Sequence, residues 1–121
     1  MVADKFRQIH GDADPDIEIT VTPAEKPTDV FGEEDAQNLL RLLYLLPKGV
    51  LGMSRVVPNL VESSANLGVV VTKDKEVTVD FYPRSSVDAR LNEFANAAKE
   101  LAALTGFVAD CQEPSPAWHE N

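Results

Sequence analysis

Residues 65–84 read ANLGVVVTKDKEVTVDFYPR, two runs rich in β-branched residues on either side of a short charged segment. Such runs are typical of strands, and the polar KDK between them is suited to a turn. The pattern predicts an antiparallel hairpin. Side chains alternate between the two faces of a strand, so we expect one face of each strand to carry the following apolar residues: Leu67, Val69 and Val71 on the first, and Val77, Val79 and Phe81 on the second.

Helical periodicity flanks the hairpin on both sides. The segment after it has apolar residues at helical spacing, followed by Gly106 as the C-terminal cap: Leu91, Phe94, Ala95, Ala98, Leu101 and Ala102. The segment before it, GEEDAQNLLRLLYLLPKG (32–49), has acidic residues at its start, where the helix dipole favours them, and Pro47 and Gly49 at its end. We expect a helix of about 14 residues there. Its apolar stripe is wide enough for two buried sides.

The outer segments complete the predicted order. DIEITVTP (16–23) alternates apolar and polar residues and is predicted to be the first strand, and FVADCQ (107–112) the last. Residues 49–64 show neither period, so an irregular connection is expected. The order β-α-β-β-α-β is that of an α+β, ferredoxin-like (split βαβ) fold, in which a four-stranded antiparallel sheet carries both helices on one face.

The length of 121 residues fits one domain. We expect residues 1–15 to be a flexible N-terminal segment, residues 16–112 to be the ferredoxin-like domain, and residues 113–121, which are rich in proline, to be a tail.

Charge and composition exclude several classes of function. The formal net charge of −9 argues against a protein that binds nucleic acid through phosphates, because such proteins need clustered Lys and Arg. No apolar run is long enough for a membrane span, and the first residues lack the apolar segment of a signal peptide. A cytoplasmic protein that binds neither nucleic acid nor membrane is therefore expected.

The residues alone provide no metal site. His10 and His119 are far apart in the sequence and no metal-binding pair accompanies them. The acidic run at 33–35 resembles paired catalytic carboxylates, but acids in the first turn of a helix are explained by its dipole. No metal ligand is therefore predicted within this chain.

Nucleophiles are equally scarce. Ser85 and Ser86 precede a predicted helix, where hydroxyl groups usually cap the first turn, and no histidine is near them in sequence. Cys111 is the single cysteine and lies on a short apolar segment, which predicts a small buried side chain rather than a reactive thiolate. Structural roles are expected for all three.

Arg84 is the residue with the strongest functional interpretation. It lies where a strand gives way to a helix, and Pro83 stiffens the backbone before it. A guanidinium held at such a corner can bind a carboxylate through two parallel hydrogen bonds. The residues alone nevertheless favour the alternative, a surface arginine paired with Asp80, Asp88 or another acid.

Two long stretches carry a family resemblance: TDVFGEEDAQNLLRLLYLLPKGVLGMSRVVPNLVESSANLGVV (28–70) and VTVDFYPRSSVDARLNEFANAAKELAALTG (77–106). They closely resemble the lid domain of bacterial aminoacyl-histidine dipeptidases, also called Xaa-His or cytosol non-specific dipeptidases. The similarity covers about residues 16–112 and is strongest over 28–106.

The resemblance implies a lid domain without its catalytic domain. In that family the lid is inserted into a catalytic domain that holds two zinc ions, closes over the dipeptide substrate and often mediates homodimer contacts. The family's metal ligands lie outside the matched region, so no cofactor is expected in this chain and the chain alone should be inactive. The family's lid contributes an arginine that binds the carboxylate of the substrate, and this position matches Arg84. Residues 113–121 would then lead toward the catalytic domain.

An alternative of a different class stays open. A stand-alone ferredoxin-like module that binds a partner or dimerises, without catalysis, would have the same fold. The two differ in their response to a catalytic domain, which only a lid would complete.

Overall fold

The computed structural model describes residues 2–10, 13, 16 and 18–111. Its elements are α1 (Val2–His10), α2 (Glu33–Leu45), β1 (Gly49–Met53), β2 (Val61–Lys73), β3 (Glu76–Ser85) and α3 (Asp88–Leu104). The chain divides into two units, Met1–Val30 and Phe31–Asn121. The second unit contains the sheet with α2 and α3, so the architecture is α+β. Among the described helices, none is long and apolar enough to span a membrane.

The three strands form one antiparallel sheet in the order β1-β2-β3. The predicted hairpin is confirmed as β2 and β3, joined by a two-residue turn at Asp74 and Lys75. Both turn residues have positive φ, 52° and 64°. This backbone suits the right-handed twist of the strands, although Asn-Gly is the usual sequence for such a turn.

A β-bulge at Gly68 divides the long hairpin. Leu67 pairs with Phe81 but Val69 pairs with Asp80, so Gly68 is an extra residue on β2. Because successive side chains alternate, the bulge transfers the residues after it to the opposite face. The prediction that Leu67, Val69 and Val71 share one face is therefore wrong. Beyond the bulge, the side chains of Val69, Val70 and Val71 are all exposed.

The helix α3 packs against β3 and covers one face of the sheet. The β3 residues on this face are Val77, Val79, Phe81, Pro83 and Ser85, all half-buried or buried. Every predicted apolar position of α3 is also half-buried or buried, which confirms its inner face. Gly106, with φ of 75°, confirms the predicted cap: its N–H and that of Phe107 donate to the carbonyls of Ala103 and Ala102.

The helix α2 contacts α3, and both Leu42 of this helix and Leu46, its C-cap residue, belong to the buried core. Its first turn contains Glu33, Glu34 and Asp35, as predicted. At its other end the Lys48 ammonium donates to the carbonyl oxygens of Leu43, Tyr44 and Leu46 at 2.6, 3.2 and 2.8 Å. A cation at this end satisfies carbonyl groups that lack helical partners and is favoured by the helix dipole.

The two predicted outer strands are not found among the described residues. Residues 18–23 lie within a described segment without helix or strand, and Val21 is exposed there. Residues 107–111 also form no strand, and Val108 is 95% exposed. Alternation favours an extended backbone, but a strand also needs a partner, which sequence alternation does not provide. The described residues therefore form a three-stranded sheet, and the four-stranded ferredoxin-like arrangement is not confirmed.

Residues 49–64 were predicted to be irregular, and this is wrong. They contain β1 and the beginning of β2, separated by a loop at 54–60. The pairing of β1 with β2 has register shifts on both sides of Gly52. Such irregularities break the alternation of apolar and polar residues, so the strand leaves no clear period in the sequence.

The first unit contains α1, in the segment expected to be flexible, and the rings of Phe6 and His10 lie 4.8 Å apart within this helix. The predicted tail at 113–121, with residue 112 before it, lies outside the described residues.

Replacing Lys75 with glycine should stabilise the hairpin. A side chain in the left-handed region costs about 1 kcal/mol or more, and glycine removes this cost while adding entropy to the unfolded chain. We expect Lys75→Gly to raise the free energy of unfolding by about 0.5–1 kcal/mol in urea denaturation. Lys73→Gly, in the extended part of β2, is the control and should destabilise. Equal destabilisation by both variants would contradict the assigned turn.

Candidate functional site

Arg84 lies near the end of β3, on the face opposite α3. We call this the open face; around Arg84 it carries Ser64 and Asn66 of β2 and Tyr82 of β3. Ser64 is the cross-strand partner of Arg84, and Asn66 is the partner of Tyr82. Arg84 and Tyr82 are exposed. Two strands therefore present a cationic group to solvent with polar neighbours beside it.

Arg84 forms no ion pair with any residue in the described part of the chain. Its guanidinium has neither an ion pair nor a hydrogen bond there, and Asp80 and Asp88 do not pair with it. The alternative of a surface ion pair with one of these two acids is therefore not realised. A carboxylate that approaches the open face would meet a guanidinium whose donors bond to none of the described acceptors.

A set of hydrogen bonds and one ion pair hold the backbone directly after Arg84. The Ser85 Oγ lies 2.9 Å from the Ser63 Oγ and accepts a hydrogen bond of 3.0 Å from the Val87 N–H. The Ser86 N–H donates to the Glu62 carbonyl oxygen at 3.1 Å. The carboxylate of Glu62 pairs with the Arg90 Nε at 2.7 Å. These contacts join the start of β2, the end of β3 and the first turn of α3.

The two serines only partly match their predicted role. Ser85 accepts a backbone N–H near the start of α3, but the N-cap residue of this helix is Val87, which forms no side-chain cap. The hydroxyl also bonds across the sheet to Ser63, which sequence reasoning did not single out. Pairing Ser63 with Ser85 from the sequence would have required the position of the bulge.

Gly68 and Tyr82 shape the open face beside Arg84. A Cβ placed on Gly68 would lie 2.7 Å from Cε2 and 3.0 Å from Cδ2 of the Tyr82 ring, closer than van der Waals contact allows. The ring therefore covers the glycine backbone at the bulge, with Asn66 Nδ2 nearby. Glycine in a strand often marks such a close approach.

The remaining candidates do not form a site. His10 is exposed on α1, and His119 lies outside the described residues. Cys111 is exposed, so the prediction of a buried cysteine is wrong, because the expected strand around it is not formed. Across the described ranges, no group of three or more His, Cys, Asp or Glu side chains is arranged to hold a metal ion.

These features define an α+β domain with one sheet face covered by a helix and the other presenting an arginine that has no acidic partner among the described residues. No protein-family model matches the sequence. The chain is similar to the cytosol non-specific dipeptidase of Escherichia coli (strain K12), with 32% identity over 79 residues, which are 65% of this chain and 16% of that protein.

Its structure is similar to that of aminoacylhistidine dipeptidase from Vibrio alginolyticus, with a TM-score of 0.90 and 27% identity. That match covers 98% of this chain and 24% of the larger one. The resemblance to the aminoacyl-histidine dipeptidases is therefore confirmed. The chain is a peptidase-related domain that spans a quarter or less of these relatives.

Replacing Gly68 with alanine should force the Tyr82 ring from its place. The ring is half exposed and can rotate away, so we expect Gly68→Ala to destabilise by about 1–2 kcal/mol in urea denaturation. The same substitution in a Tyr82→Ala background should cost less, because the clash is then absent. Equal costs in both backgrounds would contradict the ring contact.

Proposed function

We propose that this chain, with residues 16–112 as its domain, is the lid portion of a zinc-dependent Xaa-His dipeptidase. Arg84 binds the C-terminal carboxylate of the dipeptide, and the lid closes over a di-zinc site of a catalytic domain outside this chain. The observation that carries the proposal is the structural similarity over 98% of this chain to an aminoacylhistidine dipeptidase. The name of the Escherichia coli relative also supports a cytoplasmic location.

The placement of Arg84 suits a carboxylate clamp. A planar guanidinium offers two parallel N–H donors, which match the two oxygens of a carboxylate. Arg84 is anchored on a paired strand, opposite Ser64, and the next residue is buried. A rigid anchor lowers the entropy lost on binding and fixes the orientation of the peptide bond. The role of this chain is thus to bind and orient the substrate.

The described residues of this chain do not provide the ligands that the two zinc ions of the proposed enzyme need. The described residues hold no suitable cluster of His, Cys, Asp and Glu side chains. We therefore assign both zinc ions to the catalytic domain, and no chemical step to a residue of this chain.

Binding by Arg84 can be tested on the 121-residue chain by NMR. Titration with Ala-His should shift the Arg84 Nε–H resonance, whereas Ala-His with an amidated C-terminus should not, because the amide lacks the second oxygen and the charge. Arg55→Ala, which removes another exposed arginine, is the control and should leave the titration unchanged. A response equal for acid and amide would contradict the clamp.

The lid assignment can also be tested by measuring dipeptide hydrolysis with a catalytic domain present. We expect dipeptide hydrolysis with added zinc only when the chain is joined to a matching catalytic domain. Loss of a charge-assisted contact costs about 1.5–3 kcal/mol, so Arg84→Ala should lower kcat/KM about 10- to 100-fold. Activity of the isolated chain, or no activity in the joined form, would contradict the lid assignment.

One observation favours the second candidate, a module that dimerises without catalysis. The exposed side of α2 presents Leu40, Tyr44 and Leu45, which are 65%, 84% and 55% exposed. Apolar residues adjacent at helical spacing form a surface that a second copy of the chain can cover.

Self-association through α2 can be measured by light scattering coupled to size-exclusion chromatography. If α2 forms the interface, the wild-type mass should be that of a dimer, and Leu40→Glu with Tyr44→Glu should give a monomer, because burying the new charges is unfavourable. Asn92→Glu with Asn96→Glu, which adds two charges at exposed positions of α3, is the control and should leave the mass unchanged. A wild-type monomer across the concentration range would contradict this interface.

A further inference from the structure

The most buried side chain in the described part of the chain is polar. Ser63 is 1% exposed and Ser85 3%, and their hydroxyl oxygens lie 2.9 Å apart. Four of the other buried residues are apolar, namely Leu42, Leu46, Ala65 and Ala102. Burying a hydroxyl group costs free energy unless it is hydrogen-bonded, and an apolar pair would avoid that cost. We therefore attribute to this pair a geometric role, because its hydrogen bond fixes the two strands relative to each other at one position.

The hydroxyl pair belongs to a continuous chain of hydrogen bonds. The Val87 N–H donates to the Ser85 Oγ at 3.0 Å, and the Ser63 Oγ donates to the Glu62 Oε1 at 3.3 Å. Ser63 has one hydroxyl hydrogen, so the bond between the serines is donated by Ser85. The chain ends at a carboxylate that the Arg90 Nε contacts at 2.7 Å. Hydrogen bonds arranged in one direction toward a charge polarise and strengthen one another.

This chain of bonds is attached directly to the residue after Arg84. Ser64 and Arg84 are partners on the open face, and Ser63 and Ser85 are partners one residue away on the buried face. Ser85, Ser86 and Val87 each form a hydrogen bond that restrains the backbone after Arg84. The side chains of the serine pair point away from the open face, so they cannot touch a ligand bound there.

We propose that Ser63 and Ser85 are positioning residues for Arg84: their bond fixes the end of β3, and thereby the direction in which the guanidinium meets a carboxylate. The inference rests on the proposed function of Arg84 as a carboxylate clamp. Loss of either hydroxyl breaks the hydrogen-bond chain and frees the corner between β3 and α3. Arg84 then samples more orientations, and binding its ligand costs more entropy.

The first test needs no ligand and uses the 121-residue chain. In Ser63→Ala and Ser85→Ala, hydrogen exchange of the Ser86 and Val87 amides should accelerate at least about tenfold, as expected for the loss of one or two hydrogen bonds. Thr105→Ala removes another buried hydroxyl, at the far end of α3, and is the matched control. Unchanged exchange in both serine variants would overturn the proposal.

The second test links the serines to binding. Ala-His is titrated while the Arg84 Nε–H resonance is followed, under conditions where every variant is folded. Ser63→Ala and Ser85→Ala should each weaken binding about tenfold, and Ser63→Thr, which keeps the hydroxyl, should restore most of it. Thr105→Ala should bind like the wild type. Wild-type affinity in both alanine variants would overturn the positioning role.

Double variants separate this inference from the proposed function. The residual binding of Arg84→Ala, measured by the shifts of backbone amides, should not weaken further when Ser85→Ala is added, because Ser85 acts through Arg84. A further tenfold loss would overturn the inference and leave the clamp intact. If Arg84→Ala binds as tightly as the wild type, the clamp itself is wrong, while the exchange experiment still decides whether the serines fix the corner.

Discussion

The extra residue at Gly68 is the constraint on which the rest of the sheet depends. Before the bulge, Ala65 and Leu67 face the helix α3; after it, Val69 and Val71 face away. The same shift places Ser63 opposite Ser85 and Ser64 opposite Arg84. Without it, counting back from the two-residue turn would pair Ser64 with Ser85 and Ala65 with Arg84, so that Ser63 would leave the buried face. One glycine thus sets the core, the open face and the corner that carries the arginine.

The sequence predicted those elements whose pattern is local. The hairpin, the two core helices and the Gly106 cap each depend on residues that are close to one another in the sequence. The structure contains all of them. The outer strands failed because strand formation depends on a partner that alternation cannot identify. The strand β1 was missed for the opposite reason, since its partner exists but its bulges erase the period. Register and partner choice are properties of the whole sheet, and a single sequence contains them only indirectly.

In the candidate site, too, local features were predicted and features that depend on strand register were not. Arg84 was singled out by its place between a strand and a helix, and by a resemblance that the comparisons confirm. Its supporting residues were not, because Glu62 and Arg90 are 28 positions apart and meet only through the register of β2 with β3. An arginine that no described acidic residue pairs with, in a chain with a formal charge of −9, is unusual enough to need an explanation. A ligand that supplies the missing carboxylate provides one.

The exposed outer half of the hairpin also bears on whether the protein aggregates. Val69, Val70 and Val71 are exposed on both faces, and consecutive β-branched residues are the kind of segment that recruits strands from other chains. The tip that follows, Lys73 to Glu76, consists entirely of charged residues. Charges next to an apolar strand act as gatekeepers, since stacking identical chains would bring like charges together. By this principle the charged turn opposes the stacking of the exposed strand on the same strand of another chain.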